Sequence, residues 1–253
     1  MKYNFETYPK RWGINASKWA PLEKTKYGFA DDIAPFSTAD MDLYCCPEII
    51  EEVTRRAQLG VYGYGEAGPD FYEATVNWMK ERHGWDAKKE WLQPFAGVVS
   101  AVFHCVQAYT EVGDEVIIQT PVYFPFHAAV MNNNRKLVYN ELKIENGRYV
   151  MDYDDLEEKC KTAKMLILCS PHNPVGRVWT EEELRRLGDI CNKNGVVVIA
   201  DEIHHDLVFE PHVQVPYATL GKEYEQNCVI TTAASKTFNL AAFNTSCIFI
   251  PNP

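Results

Sequence analysis

The stretch Met165–Glu202, "MLILCSPHNPVGRVWTEEELRRLGDICNKNGVVVIADE", decides the fold. It holds two short runs without a polar residue, Met165–Cys169 and Val196–Ala200. Runs of that length, bounded by turn residues and rich in Val, Ile and Leu, read as strands buried on both faces. Between them Thr180 and Glu183 have the spacing of a capping box. Leu184, Leu187, Ile190 and Cys191 then recur at helical intervals, and Gly195 supplies a stop. The segment therefore predicts a strand–helix–strand unit whose strands run parallel, because a helical crossover returns the chain to the same sheet edge.

Working outward, the same periodicities predict helices near 47–59, 69–83 and 98–110 and strands near 115–119, 136–141, 228–232 and 245–250. This alternation is an α/β plan with a mostly parallel sheet. In such sheets ligands bind beyond the carboxyl ends of the strands, so the residues there are the ones to examine. They are Ser170-Pro171-His172-Asn173-Pro174 after the first strand, Asp201 and Glu202 after the second, and Ser235 and Lys236 after the strand at 228–232.

Composition limits the partners. The chain has 253 residues, 46% hydrophobic and 24% charged, enough for one large domain or two small ones. Its formal net charge of -10, without a basic patch, excludes nucleic acid and anionic membrane as expected partners and favours a small molecule. No apolar run approaches the roughly 18 residues of a membrane span, and "MKYNFETYPKRW" lacks a signal-peptide core, so a cytoplasmic location is expected. Eight scattered cysteines with no CxxC spacing read as reduced thiols, neither a metal site nor a disulfide frame. There are no repeats and no low-complexity linker.

Each rim residue has an ordinary alternative. Asn173, between two prolines, has the composition of a turn. Asp201 has the position of a helix cap, and Lys236 could be a solvated loop lysine. One ligand, however, calls for all three types together. Pyridoxal phosphate takes a lysine amine on its aldehyde, a carboxylate on its pyridine nitrogen and an amide on its phenolic oxygen. Opposite charges about 4 Å apart gain roughly 4 kcal/mol at an effective dielectric near 20, or about three pKa units, enough to keep a pyridine nitrogen protonated.

The segments "SPHNPVGRVW", "ADEIHHDL" and "ASKTFNLAA", with "ASKW" (16–19), "STADMD" (37–42) and "TPVYFPF" (120–126), resemble the aminotransferase class I/II superfamily. The likeness is to its pyridoxal-phosphate-dependent cystathionine β-lyase and cysteine-S-conjugate β-lyase branch. The resemblance implies a three-layer α/β/α large domain of fold type I over residues 46–253, preceded by an N-terminal arm and part of an incomplete small domain over 1–45. It implies a carbon–sulfur β-lyase acting on cystathionine or another cysteine S-conjugate to give pyruvate, ammonia and a thiol. An amino-acid aminotransferase and a cofactor-binding chain with little turnover are the alternatives.

The resemblance also implies roles. Lys236 would be the covalent anchor of the cofactor and the catalytic base, Asp201 the partner of the pyridine nitrogen, and Asn173 that of the phenolic oxygen. Tyr123 would stack on the ring. Gly97, Val98 and Val99, at a helix entry, would hold the phosphate with Ser235. Tyr64 resembles a tyrosine that reaches the cofactor of a second subunit, which implies a homodimer. Two positions depart from the transaminating pattern: Asn244 stands where arginine is usual, and Ala233 where serine is common. His204 stands where many aminotransferases have tyrosine, and the resemblance makes it a feature shared with the lyase branch. His205 is expected to be a bystander, and the "HH" pair is expected not to be a metal site, because adjacent strand residues face opposite sides. The arginine that grips the substrate carboxylate is expected beyond Pro253, and Arg11 is not taken as its replacement.

Overall fold

The computed structural model describes residues 3–23 and 35–252. In chain order the helices are α1 (Ala20–Glu23), α2 (Pro47–Gln58), α3 (Pro69–His83), α4 (Val98–Tyr109), α5 (Pro125–Met131), α6 (Tyr153–Cys160), α7 (Glu181–Asn194), α8 (Lys222–Glu225) and α9 (Ala234–Thr237). The strands are β1 (Leu92–Phe95), β2 (Glu115–Thr120), β3 (Lys136–Glu141), β4 (Lys143–Glu145), β5 (Arg148–Val150), β6 (Met165–Cys169), β7 (Val197–Asp201), β8 (Cys228–Thr232) and β9 (Ser246–Phe249). They form two compact units: Met1–Gly65 with Ala234–Phe243, and Glu66–Ala233 with Asn244–Pro253.

The larger unit carries a seven-stranded sheet in the order β1-β9-β8-β7-β6-β2-β3. Strands β3, β2, β6, β7 and β8 pair parallel, whereas β9 runs antiparallel to β8, and β1 antiparallel to β9. Every residue of β6 is buried, as its apolar sequence requires. Alternate residues face two cores. Leu166 and Leu168 join Val198, Ala200 and Ile230 beneath Leu184, Leu187 and Cys191 of α7. Met165, Ile167 and Cys169 join Ile199 and Val229 against Ala101, Val102 and Cys105 of α4 and Phe126 of α5. Helix, sheet and helix thus make three layers.

The strand–helix–strand unit is built as its sequence predicts. Thr180 Oγ1 accepts from the Glu183 N–H, the Glu183 carboxylate accepts from the Thr180 N–H, and Gly195 ends α7 with φ +67°. A positive φ suits glycine, which has no Cβ to clash. Elements the sequence reading did not anticipate are α1, α5, α6, α8, α9, β1 and the β4–β5 hairpin. All are short, and short elements draw their stability from tertiary packing that local patterns do not report.

The smaller unit contains α1, α2, α9 and a 3-10 turn at Ala241–Phe243. Helix α2 buries none of its side chains within this unit. Among the described residues no helix is long and apolar enough to cross a membrane.

Candidate active site

The carboxyl ends of β6 and β7 set the site of the larger unit. Cys169 and Asp201 are register partners, and the Ser170 N–H donates to the Asp201 carbonyl at 3.0 Å. Beyond Cys169 the chain turns, and the Asn173 N–H donates to Cys169 Sγ at 3.3 Å. His172 Nε2 lies 3.0 Å from the Pro121 carbonyl, which ties this turn to the loop bearing Tyr123. Asp201, Asn173 and Tyr123 therefore belong to one rim. The electrostatics agree. Burial raises the Tyr123 hydroxyl pKa, and the Asp201 carboxylate and Cys169 raise it further.

Asp201 is 4% exposed, and its Oδ1 accepts from the Ile203 N–H at 3.1 Å. That bond closes an Asx turn over residues 201–203; a helix cap, its ordinary alternative, is not what forms. A carboxylate offers about four acceptor positions, so a local turn bond does not exhaust it. The next side chain takes the opposite direction, as extended backbone demands. Glu202 is wholly buried, and its Oε1 accepts from the Tyr217 N–H at 2.7 Å. Burial pushes the Glu202 carboxyl up to about 8, against the pull of that N–H. The pair thus splits into two carboxyl groups with different environments, one at the rim and one in the core.

Gly97, Val98 and Val99 stand at the start of α4, where no side chain caps the helix. Gly97 has φ +85°, and a Cβ added to it would lie 3.9 Å from both the carbonyl oxygen and Oδ1 of Asn244. Asn244, the residue that replaces the usual arginine, is therefore beside the uncapped helix entry. Val98 is buried and Val99 is at the surface. Free N–H groups and the helix dipole make this entry suited to a dianion.

His204 is half-buried in the turn after β7, and its carbonyl accepts from the Leu207 N–H at 2.9 Å. The strand backbone expected at His204 and His205 is corrected here. Residues 203–206 form a turn and not a strand, so opposite facing does not apply. His205 is buried and stacks on His83 with ring centroids 4.1 Å apart. Asp206 reaches both rings, 2.8 Å from His83 Nε2 and 3.3 Å from His205 Nε2, and accepts from Trp78 Nε1 at 3.1 Å. These bonds fasten α3 to the turn that follows Asp201. The sequence signal was weak, since His83 and Asp206 are 123 residues apart.

Lys236, Ser235 and Tyr64 belong to the smaller unit. Lys236 is half-buried, and its Nζ donates to the Ala39 carbonyl at 3.0 Å. Ser235 is buried, and its carbonyl accepts from the Leu240 N–H at 2.8 Å. Tyr64 is fully exposed. Arg11 forks onto Asp40 at 2.9 and 2.7 Å and also reaches Asp42 at 3.1 Å, so its charge is engaged within the chain.

The chain belongs to the aminotransferase class I and II family, whose pattern it matches over residues 31–252. Among individual proteins, it is 39% identical over 252 residues to the cystathionine beta-lyase PatB of Bacillus subtilis, covering 98% of this chain and 64% of that protein. It superposes on cystalysin from Treponema denticola, which contains a pyridoxal 5'-phosphate cofactor, with a TM-score of 0.95 and 38% identity, covering 100% of this chain and 65% of that one. It superposes on the PLP-bound C-S lyase of Staphylococcus hominis with a TM-score of 0.90 and 33% identity, covering 99% and 63%. The chain thus spans about two thirds of the length of these relatives.

Proposed function

We propose that this chain binds pyridoxal 5'-phosphate and serves a carbon–sulfur β-lyase that acts on cystathionine or another cysteine S-conjugate. The observation that carries the reading is the β6–β7 rim, where a buried carboxylate and a carboxamide-bearing turn meet through Cys169. The donor set fits the cofactor. Asp201 is an acceptor for a protonated pyridine nitrogen, Asn173 a donor for a phenolic oxygen and Tyr123 a ring to stack. The α4 entry at Gly97, Val98 and Val99 would take the phosphate.

When bound, pyridoxal phosphate supplies an electron sink that weakens the bonds at the substrate Cα. Asp201, held off bulk water, would keep a proton on the pyridine nitrogen. The Lys236 amine would hold the cofactor aldehyde and, when free of it, would serve as general base for the substrate Cα proton. Loss of the Cα proton together with the thiolate on Cβ would leave an unsaturated amino acid that water would convert to pyruvate and ammonia. Eight free cysteines, six of them buried, suit a reducing cytoplasm. The exposed Val61, Tyr62 and Tyr64 suit a homodimer in which Tyr64 serves the second subunit's phosphate.

The test is optical and chemical. The purified chain mixed with pyridoxal phosphate is expected to gain an absorbance band that Lys236→Ala abolishes, and then to release pyruvate from cystathionine with no keto acid present. Pyruvate only when a keto acid is supplied would replace the lyase by an aminotransferase. A chain that stays colourless would overturn both.

A further inference from the structure

Three sequence motifs quoted above, "ASKW", "STADMD" and the lysine segment "SKTFNL", prove to be one hydrogen-bonded knot within the smaller unit. Lys18 Nζ is 2.6 Å from Asp42 Oδ2, and Trp19 Nε1 donates to Asp42 Oδ1 at 3.1 Å. Arg11 forks onto Asp40. The side chains of Asp40 and Asp42 are thus held by the N-terminal arm, which also reaches the backbone through Lys18 on the Asp40 carbonyl and Arg11 on the Met41 carbonyl at 3.4 Å, while Asn239 holds the backbone of 41 and 43 from the lysine segment.

Asn239 spends nearly all its hydrogen-bonding capacity on that backbone. Its Oδ1 accepts from the Met41 N–H at 3.2 Å, and its Nδ2 donates to the Met41 carbonyl at 3.0 Å and the Leu43 carbonyl at 3.0 Å. Its own carbonyl accepts from Cys45 Sγ at 3.4 Å. Its backbone sits at φ +58°, a left-handed conformation that Asn tolerates better than most residues. A turn former would need that backbone and nothing more. Using both amide hydrogens and the amide oxygen on residues 41 and 43 is the pattern of a clip. Three residues earlier, Lys236 Nζ donates to Ala39 of the same segment. When the lysine amine is consumed by an aldehyde its bond to Ala39 has no obligation to persist, whereas the Asn239 clip does not depend on the amine.

We infer that Asn239 is a positioning residue: it docks backbone 41–43 onto the lysine segment and thereby sets where the Lys236 amine stands. The inference rests on reading Lys236 as the amine that takes the cofactor aldehyde, and its test is chosen so that the two can fail separately. Asn239→Gly keeps the left-handed backbone and deletes the clip. Asn239→Asp keeps the acceptor and turns a carboxylate oxygen toward two carbonyls.

Three readouts apply, with circular dichroism to show that each variant folds. Amide hydrogen exchange at Met41 should be protected in the parent chain and lose that protection at least tenfold in both variants. Reductive methylation of Lys236 with formaldehyde and borohydride needs no cofactor, and should run at least threefold faster once the segment is released. Capture of pyridoxal phosphate at Lys236, trapped with borohydride and located by mass spectrometry, should be at least tenfold slower in both. An unprotected Met41 amide in the parent, or a methylation rate within twofold in the variants, overturns the clip. Failure of the parent to capture pyridoxal phosphate while the other two readouts behave as expected overturns the functional reading and leaves the clip standing. Capture within twofold of the parent, despite lost protection, shows that the clip does not position the amine.

Discussion

The strand rim around Asp201 and the knot around Lys236 hold chemically demanding side chains by different means. At the rim, β6 and β7 are fully or nearly fully buried, and Asp201 and Asn173 are placed by sheet register and a four-residue turn. In the knot, Ala39 and Met41 are exposed, and order comes from hydrogen bonds and ion pairs spanning up to 198 residues of sequence. Apolar burial is non-directional and strong in sum, so it fixes a scaffold that tolerates little loss of volume. Hydrogen bonds at the surface add about 0.5–1.5 kcal/mol each, so they fix direction more than stability. A carboxylate in a scaffold and an amine on a tether suit the proposed reaction, in which the amine would change partners.

The comparison can be broken by mutation. The largest effect is expected for Leu166→Ala in β6, where the side chain is fully buried. Deleting it leaves a cavity in the core and should cost about 2–5 kcal/mol by denaturant titration. A loss below 1 kcal/mol would mean that the rim does not owe its rigidity to the sheet.

Next comes pH. Glu202 is held near a pKa of about 8 by burial, above its ordinary value of 4.5. The folded state therefore binds a proton that the unfolded state has already lost between roughly pH 4.5 and 8. Stability from this group is full below the lower value and declines as pH rises through the upper one. Glu202→Gln should flatten that decline, with a relative gain on the order of a few kcal/mol at pH 9, read from denaturant midpoints across pH. A parallel pH profile for the two chains would place the Glu202 carboxylate in contact with water.

A smaller effect tests local against tertiary order. Thr180→Ala removes the acceptor for the Glu183 N–H at the start of α7 and should cost about 1 kcal/mol. The smallest is expected in the smaller unit. Val53→Ala on α2, at a position 40% exposed, should change stability by less than about 0.5 kcal/mol. A loss above 1.5 kcal/mol that grows with protein concentration would show α2 buried against a second copy.

Much of the larger unit was legible because its signals are local. The apolar run at Met165–Cys169, the capping box at Thr180 and Glu183 and the stop at Gly195 lie within one window, and each imposes its geometry regardless of the rest of the chain. The rim position of Asn173 and Asp201 followed from one rule about parallel strands. The antiparallel pairing of β9 with β1 was not legible, because a four-residue strand names no partner. The misreading of His205 has the same origin: whether residues after a strand continue or turn is settled by what packs there, in this case His83 and Asp206.

The sequence by itself determined the strand–helix–strand unit, the parallel core of the sheet and the residue types offered at its rim, because hydrophobic period and capping act over a few residues. The tertiary structure alone decided that Glu202 is buried while Asp201 faces the rim, and that Asp206 joins two stacked histidines. It also decided that Asn239 reaches Met41 across 198 residues. Those outcomes depend on which distant groups end up within about 3 Å, a quantity that no local pattern encodes.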